Sequence, residues 1–145
     1  MTGPRTDALM KTVGRLFEAR RSGQPIDDLP AELCPLDTSE IYFVQDHLAS
    51  FFGDTGGWKI GAATPEATPM FAPMPVPWIF ATDAVLTGDH WRYRGLEAEI
   101  AFLVGHDLPP RDTPYTREET LAAMASCHPV IEVLETAYLL SLIHI

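Results

Sequence analysis

The chain has 145 residues, 46% of them hydrophobic and 21% charged, which is enough for one globular domain with a buried core. It carries 20 acidic residues against 10 lysines and arginines, and its formal net charge is -10 at pH 7. Nucleic acids and anionic membrane surfaces select basic patches, so neither is an expected partner. The sequence also contains no run with the pattern of a signal peptide or a membrane span, and a cytoplasmic protein is expected.

The first predicted element is a helix that Thr6 or Asp7 caps and that Gly23, followed by Pro25, ends. Its apolar residues fall on one face: Leu9, Val13, Leu16 and Phe17. A linker punctuated by prolines follows.

A second helix is predicted after Asp37, because Glu40 stands three residues beyond it in a capping pattern. Gly53 is expected to close this helix. Its apolar face consists of Ile41, Val44, Leu48 and Phe51.

The sequence then changes to short β-like runs separated by proline and glycine. The predicted strands cover residues 58–62, 78–81, 84–86, 96–104 and 130–134. The segment ATPEATPMFAPMPVPW holds five prolines in sixteen residues and is predicted to be a loop. One more helix is expected from the capping box of Thr116 and Glu119, with Leu121 and Met124 on one side.

The predicted fold class is therefore α+β, with N-terminal helices that lead into a strand-rich body and without βαβ alternation. Residues 1–55 form the helical segment and residues 56–145 the start of the β-rich part, within one structural domain overall. Cys34 and Cys127 have no ligand or redox spacing, so a zinc site has no support and both are expected to be reduced.

Three glutamates are candidate metal ligands. Glu97 and Glu99 share one face of a predicted strand, and like charges so placed repel unless something positive lies between them. Glu132 stands inside an apolar strand, where an ionised carboxylate is costly unless it is paired or bound to a metal. An all-oxygen set suits Mg²⁺, Mn²⁺ or Ca²⁺. The other interpretation, equally supported by the spacing, has Glu97 and Glu99 in solvent and Glu132 paired with an arginine such as Arg92 or Arg94.

Lys59, in the stretch GGWKIGAA, is the other candidate functional residue. Its side chain points away from Trp58 and Ile60, and neighbouring glycines allow a ligand to approach. It could bind a substrate carboxylate or act in acid-base chemistry, or it could be an ordinary surface lysine. The scattered histidines form no ligand pattern, although His128 precedes the Glu132 strand and could lie near the site.

Four stretches in order resemble the 2-keto-4-pentenoate hydratase / 2-oxo-3-hexenedioate decarboxylase group of the fumarylacetoacetate hydrolase superfamily. They are RLFEARRSGQPIDDLP, GWKIGAATPEA, RGLEAEIAFLVGHDLP and YTREETLAAMASCHPVIEVLE, and the resemblance runs from about residue 8 to about residue 138. It implies a mixed β-roll fold that holds Mg²⁺ or Mn²⁺ on an ExE pair and a later glutamate. These positions match Glu97, Glu99 and Glu132, and Lys59 matches the lysine expected near the bound 2-oxo acid.

The resemblance further implies a hydratase that adds water to a 2-hydroxy-2,4-dienoate in the degradation of aromatic compounds. The alternatives are a decarboxylase of the same group, or a truncated inactive chain with a folding or assembly role. The family's chains are longer, and the sequence ends on the apolar run AYLLSLIHI, so the chain is expected to be the N-terminal part of a longer protein, incomplete at its C-terminus. Unpaired strand edges make a homo-oligomer the expected state.

Overall fold

A computed structural model describes residues 3–139 of the chain. Its contacts divide the chain into two compact units. The first consists of the described residues up to Tyr93 and from Thr136 onward, and the second runs from Arg94 to Glu135. The final apolar residues 140–145, to which the prediction of truncation applied, lie outside the described part.

The described elements are three helices, two short 3₁₀ turns and four strands. The helices are α1 (Pro4–Ser22), α2 (Thr38–Ser50) and α3 (Arg117–Ala122), and the 3₁₀ turns are Ala31–Leu33 and Val76–Trp78. The strands are β1 (Thr55–Gly61), β2 (Met70–Pro75), β3 (Gly95–Val104) and β4 (Met124–Leu134). They form two antiparallel two-stranded sheets, β1–β2 and β3–β4. The prediction of a mixed α+β fold with N-terminal helices is confirmed at this level.

Helix α1 begins earlier than the sequence predicted. Its N-cap is Gly3 and Pro4 is its first residue. Proline is tolerated there, because the N–H of the first helical residue has no hydrogen-bond acceptor within the helix. Asp7, predicted to be a cap, lies in the first turn, where its backbone N–H donates to the Gly3 carbonyl at 3.1 Å. The predicted end is confirmed, because Gly23 adopts the left-handed conformation with φ of 69°.

Helix α2 begins where it was predicted and ends earlier. The Asp37 carboxylate accepts a hydrogen bond from the backbone N–H of Glu40 at 3.0 Å, which confirms the cap. The C-cap is Phe51, so the helix does not extend to Gly53, which instead has a φ of 136° just beyond it.

The core of the first unit lies between α1 and α2. Its buried members are Leu9, Val13 and Val44, with Leu16, Phe43 and Leu48 packed against them. Thr12 is fully buried beside this cluster, and its hydroxyl donates to the Leu33 carbonyl at 2.5 Å. Arg5 joins the start of α1 to that of α2, since its guanidinium donates to the Glu40 carboxylate at 2.7 Å and to the Cys34 carbonyl at 2.7 Å.

Strand β2 corrects the prediction of a loop over the proline-rich segment. Residues 70–75 pair antiparallel with β1, and Pro73 lies opposite Trp58. In a two-stranded sheet, half of the backbone N–H groups of each strand point away from the partner strand. Proline, which has no N–H, is tolerated at those positions.

The strands predicted at 78–81 and 84–86 are wrong. Residues 76–78 form a 3₁₀ turn, and residues 79–86 contain no strand. Pro75 and Pro77 surround the start of this region and limit the backbone hydrogen bonding that a strand needs.

The second unit contains β3, α3 and β4. The capping box of α3 is confirmed: Thr116 Oγ1 accepts from the Glu119 N–H at 3.2 Å, and the Thr116 N–H donates to the Glu119 carboxylate at 2.8 Å. The predicted extent of this helix is wrong, because it ends at Ala122 and Met124 already belongs to β4. Strand β3 matches the prediction to within one residue, whereas β4 begins six residues before the predicted Val130.

No helix in residues 3–139 combines the length and apolar character that crossing a membrane requires.

Candidate metal centre

The register of β3 against β4 brings the three candidate ligands together. Glu97 lies directly opposite Glu132, and Glu99 lies opposite Val130, two positions further along β3. Residues that face each other across antiparallel strands, and those two apart on one strand, point to the same side. All three carboxylates therefore lie on one face of this pair of strands, which we call the β3–β4 ribbon.

The two faces of the ribbon differ in composition. The acidic face carries Glu97, Glu99, Ala101 and Leu103 from β3 and Glu132, Val130, His128 and Ser126 from β4. The apolar face carries Leu96, Ala98, Ile100 and Phe102 from β3 and Val133, Ile131, Pro129 and Cys127 from β4.

Along residues 96–102 of β3, exposure is the reverse of what hydrophobic burial favours. The three glutamates are half-buried. On the apolar face, Leu96 is 70% exposed, and Ile100 and Ile131 are 67% and 63% exposed. The carboxylates therefore lie on the more covered side of β3, and both interpretations of Glu97 and Glu99 stay predictions.

The three carboxylates form a cluster that could hold one metal ion. One oxygen from each of Glu97, Glu99 and Glu132 lies within 4.8 Å of the others. Ligand oxygens around a bound Mg²⁺ or Ca²⁺ ion are about 3 to 5 Å apart, which is the range of spacing found here. Carboxylate oxygens are the ligands that Mg²⁺, Mn²⁺ and Ca²⁺ prefer.

Electrostatics gives a reason for a cation at this position. Like charges directly opposite one another on antiparallel strands are destabilising, and Glu97 and Glu132 are such a pair. Arg92 donates to the backbone carbonyl of Thr136 at 2.9 Å, and the pairing of Glu132 with an arginine stays a prediction. Arg94, which directly precedes β3, has a φ of 54°, a conformation that is strained for a residue with a side chain.

Lys59 lies in β1, opposite Ala72 and in the first unit. Its side chain is half-buried, whereas its neighbours Trp58 and Ile60 are 54% and 66% exposed. This alternation agrees with the prediction that Lys59 points away from them. Its proposed role toward a substrate stays a prediction.

A hydrogen-bonded pair on the acidic face was not predicted. Ser126 Oγ lies 2.7 Å from His128 Nε2, and His128 faces Ala101 across the ribbon. The signal was present in the sequence, because Ser126, His128 and Glu132 are spaced by even numbers of residues and share a face of any strand that contains them. Starting β4 at Val130 left both residues outside the predicted strand.

The two cysteines, Cys34 and Cys127, are free. Cys34 is half-buried with its thiol 3.7 Å from the Leu29 carbonyl oxygen, and Cys127 is exposed on the apolar face. The free thiols agree with the prediction that both cysteines are reduced.

Comparison with protein-family models, with curated protein sequences and with solved structures gives no match to this chain.

Proposed function

We propose that this chain is a divalent-metal-dependent hydratase of 2-oxo acids with a β-roll fold of the fumarylacetoacetate hydrolase type. One observation carries the proposal: Glu97, Glu99 and Glu132, selected from the sequence on charge and burial, converge within 4.8 Å on one face of the ribbon. The order of the four sequence stretches is the further support.

The proposed ligands of Mg²⁺ or Mn²⁺ are the three glutamates. A bound ion would supply Lewis-acid stabilisation of the negative charge that develops when a dienol ketonises. Ala101 and Val130 continue the acidic face with apolar surface on which the carbon chain of the substrate can lie.

Lys59 is the proposed substrate-binding or acid-base residue. A lysine ammonium can neutralise the substrate carboxylate, and a lysine of lowered pKa can transfer a proton. Ketonisation moves the enol proton of the dienol to C5 and leaves a C3–C4 double bond conjugated with the 2-oxo group. Water then adds across that bond, with the hydroxyl going to C4 and the proton to C3, and gives a 4-hydroxy-2-oxo acid. Decarboxylation of a six-carbon 2-oxo dicarboxylate is the second candidate, because it uses the same stabilisation of a developing enolate.

Metal binding tests the proposal most directly. We expect calorimetry to detect Mn²⁺ binding by the wild-type chain, strengthened by oxalate, an analogue of the enolate end of the substrate. Glu97→Gln, Glu99→Gln and Glu132→Gln keep the shape of each side chain and remove its charge. Each is expected to weaken Mn²⁺ binding at least about tenfold, since even the loss of an outer hydrogen-bond partner of a ligand weakens binding by that factor.

Glu118→Gln is the matched control, because Glu118 is an exposed acid in the first turn of α3 within the same unit. It removes one negative charge, as the other three substitutions do, and should leave Mn²⁺ binding unchanged. A wild-type sample that is folded by circular dichroism and binds no Mn²⁺ would contradict the proposal and favour a folding or assembly role.

Turnover of 2-hydroxypentadienoate separates binding from chemistry. In a Mn²⁺-loaded sample, Lys59→Met is expected to reduce hydration while the Mn²⁺ affinity stays at the wild-type level. A Lys59→Met variant with full activity would remove Lys59 from the proposed site without affecting the three ligands.

A further inference from the structure

Strand β3 has an outer edge with which no other strand in residues 3–139 pairs. Its sheet consists of β3 and β4 alone, so each of the two strands is paired on one side only. An unpaired edge presents a row of backbone N–H and C=O groups, and another strand can add to it through hydrogen bonds.

The two outer edges of the ribbon differ in how well they can accept a strand. Pro129 of β4 has no N–H and lies opposite Ile100 of β3. Proline fits a strand where its nitrogen points away from the partner strand, so Pro129 interrupts the outer edge of β4. Opposite residues of an antiparallel pair point their backbone groups either toward each other or both away. The N–H and C=O of Ile100 therefore point to the outer edge of β3, a strand that contains no proline.

The second half of β3 is apolar and exposed on both of its faces. Phe102 and Val104 on the apolar face are 53% and 54% exposed, and Leu103 on the acidic face is 59% exposed. Contiguous exposed apolar residues mark surfaces that bind a partner. A strand added at the outer edge of β3 gives these side chains neighbours on both faces.

The sequence of β3 matches itself in the antiparallel direction when Ile100 lies opposite Ile100 of a second copy. Residues 96–104 then pair over their whole length. The facing pairs are Leu96–Val104 and Ala98–Phe102 on the apolar face, and Glu97–Leu103 and Glu99–Ala101 on the acidic face. Apolar residues therefore face apolar residues, and no glutamate faces another.

The neighbouring registers are worse in charge or in length. A register centred on Glu99 places this carboxylate opposite its own copy, and one centred on Ala98 places Glu97 opposite Glu99. Like charges directly opposite one another are destabilising. A register centred on Ala101 pairs only residues 98–104. The register centred on Ile100 is thus the longest that keeps the carboxylates apart.

We propose that two copies of this chain associate through their β3 strands across a twofold axis at Ile100, and form an antiparallel sheet in the order β4–β3–β3–β4. The inference specifies the strand and the register of the expected homo-oligomer, and it uses neither a metal ion nor the proposed function. The pairing supplies about ten backbone hydrogen bonds and leaves the apolar face of the ribbon open. Nine residues a side is a small interface, so the dissociation constant is expected to be about 1–100 µM.

Sedimentation velocity of the full chain from about 1 to 200 µM tests the association over the expected range. The wild type should shift from monomer to dimer. Ile100→Lys places two like charges at the axis, and Leu103→Glu places a carboxylate opposite Glu97, so each should weaken the dimer at least about tenfold. Ile131→Lys is the matched control, because Ile131 is 63% exposed on the same apolar face but belongs to β4. It should dimerise as the wild type does.

A disulfide at the axis tests the register. With Cys34→Ser and Cys127→Ser present, Ile100→Cys should form a disulfide-linked dimer under mild oxidation. Facing Cα atoms are about 5.5 Å apart in such a hydrogen-bonded pair, which suits a disulfide. Ala98→Cys should not link, because its copy lies four residues away along the strand, about 13 Å.

Three results would overturn the inference. The first is a wild type that is folded by circular dichroism and stays monomeric up to about 200 µM. The second is a dimer that Ile131→Lys breaks and Ile100→Lys does not, which would mean that the apolar faces pack on each other. The third is a dimer in which Ala98→Cys links as readily as Ile100→Cys, which would exclude this register.

Discussion

The α1–α2 helix pair and the β3–β4 ribbon place their apolar residues in opposite ways. In the helix pair, Val13 is fully buried and Leu9 and Val44 are 4% and 6% exposed. In the ribbon, Leu96 and Ile100 are 70% and 67% exposed, and the glutamates occupy the less exposed side of β3. Burial of apolar surface therefore explains the helix pair, and charge placement is the feature of the ribbon that needs a functional explanation.

The largest expected difference between the two regions is in the cost of truncating an aliphatic side chain. Leu9→Ala should destabilise the chain by about 2–4 kcal/mol, because it removes buried atoms and leaves a cavity between α1 and α2. Ile100→Ala should cost less than about 1 kcal/mol, since it removes mainly exposed surface and some strand propensity. Urea unfolding followed by circular dichroism measures both.

Equal costs for the two variants would contradict the comparison. A large loss of stability in Ile100→Ala would mean that the apolar face of the ribbon is covered in solution.

The next largest effect is expected for the buried hydroxyl of Thr12. Thr12→Val keeps the shape of the side chain but leaves the Leu33 carbonyl without its donor at 2.5 Å, which should cost about 1–2 kcal/mol. Thr120→Val is the matched variant in the second unit, where the hydroxyl donates to the Thr116 carbonyl in an exposed setting. It should cost less than about 0.5 kcal/mol by the same urea experiment. A Thr12→Val chain as stable as the wild type would show that the carbonyl finds another donor.

Local sequence signals predicted the fold best where one residue type has a single physical role. Gly23 at the end of α1, Asp37 at the start of α2 and Thr116 at the start of α3 were all identified correctly. Their roles depend on backbone conformation or on a hydrogen bond only a few residues away. Strand β2 was missed, because tolerance of Pro73 and Pro75 depends on an edge position that only the pairing with β1 reveals.

Only part of the candidate site was predicted, because strand pairing is not visible in the local sequence. The alternation of side chains along a strand predicted that Glu97 and Glu99 share one face. Only the register with β4 brings Glu132 opposite Glu97. The Ser126–His128 pair was missed because the helical pattern through Met124 competed with the start of β4. Over so few residues, a helical and a strand-like spacing of apolar residues cannot be distinguished in the sequence. The pairing with β3 decides that these residues form a strand.

A smaller effect is expected at the cap of α3. Thr116→Ala removes the side-chain acceptor of the Glu119 N–H and should destabilise this helix by about 1 kcal/mol. Amide hydrogen exchange at Glu119 should then accelerate about fivefold, while exchange in α1 should be unchanged. Thr113→Ala, in the exposed loop before α3, is the control and should leave the exchange rate of Glu119 as it is. Acceleration in α1 as well would mean that α3 and the helix pair open together.

The smallest effect concerns the titration of Glu119, which tests whether the charges of the second unit are organised locally. Hydrogen bonds from Arg111 at 2.9 and 2.5 Å, and then the Thr116 N–H, lower the pKa of Glu119 from 4.5 to about 2. A pKa lowered on folding adds stability that is fully present above pH 4.5 and is lost as the pH falls toward 2. The difference in stability between the wild type and Glu119→Gln should therefore shrink over that range.

Carbon-detected NMR of the Glu119 carboxyl measures this directly. Arg111→Ala removes the largest cause and should move the pKa of Glu119 back toward 4.5, whereas Arg117→Ala, an exposed arginine at the start of α3, should leave it near 2. An ordinary pKa in the wild type would mean that the Arg111–Glu119 pair is not held in solution. Since Glu119 is exposed and already has a cationic partner, its titration should not respond to Mn²⁺. A shift of Glu119 on adding Mn²⁺ would therefore show that acidic groups of this unit bind the ion without selectivity, and it would contradict a specific role for the three glutamates as its ligands.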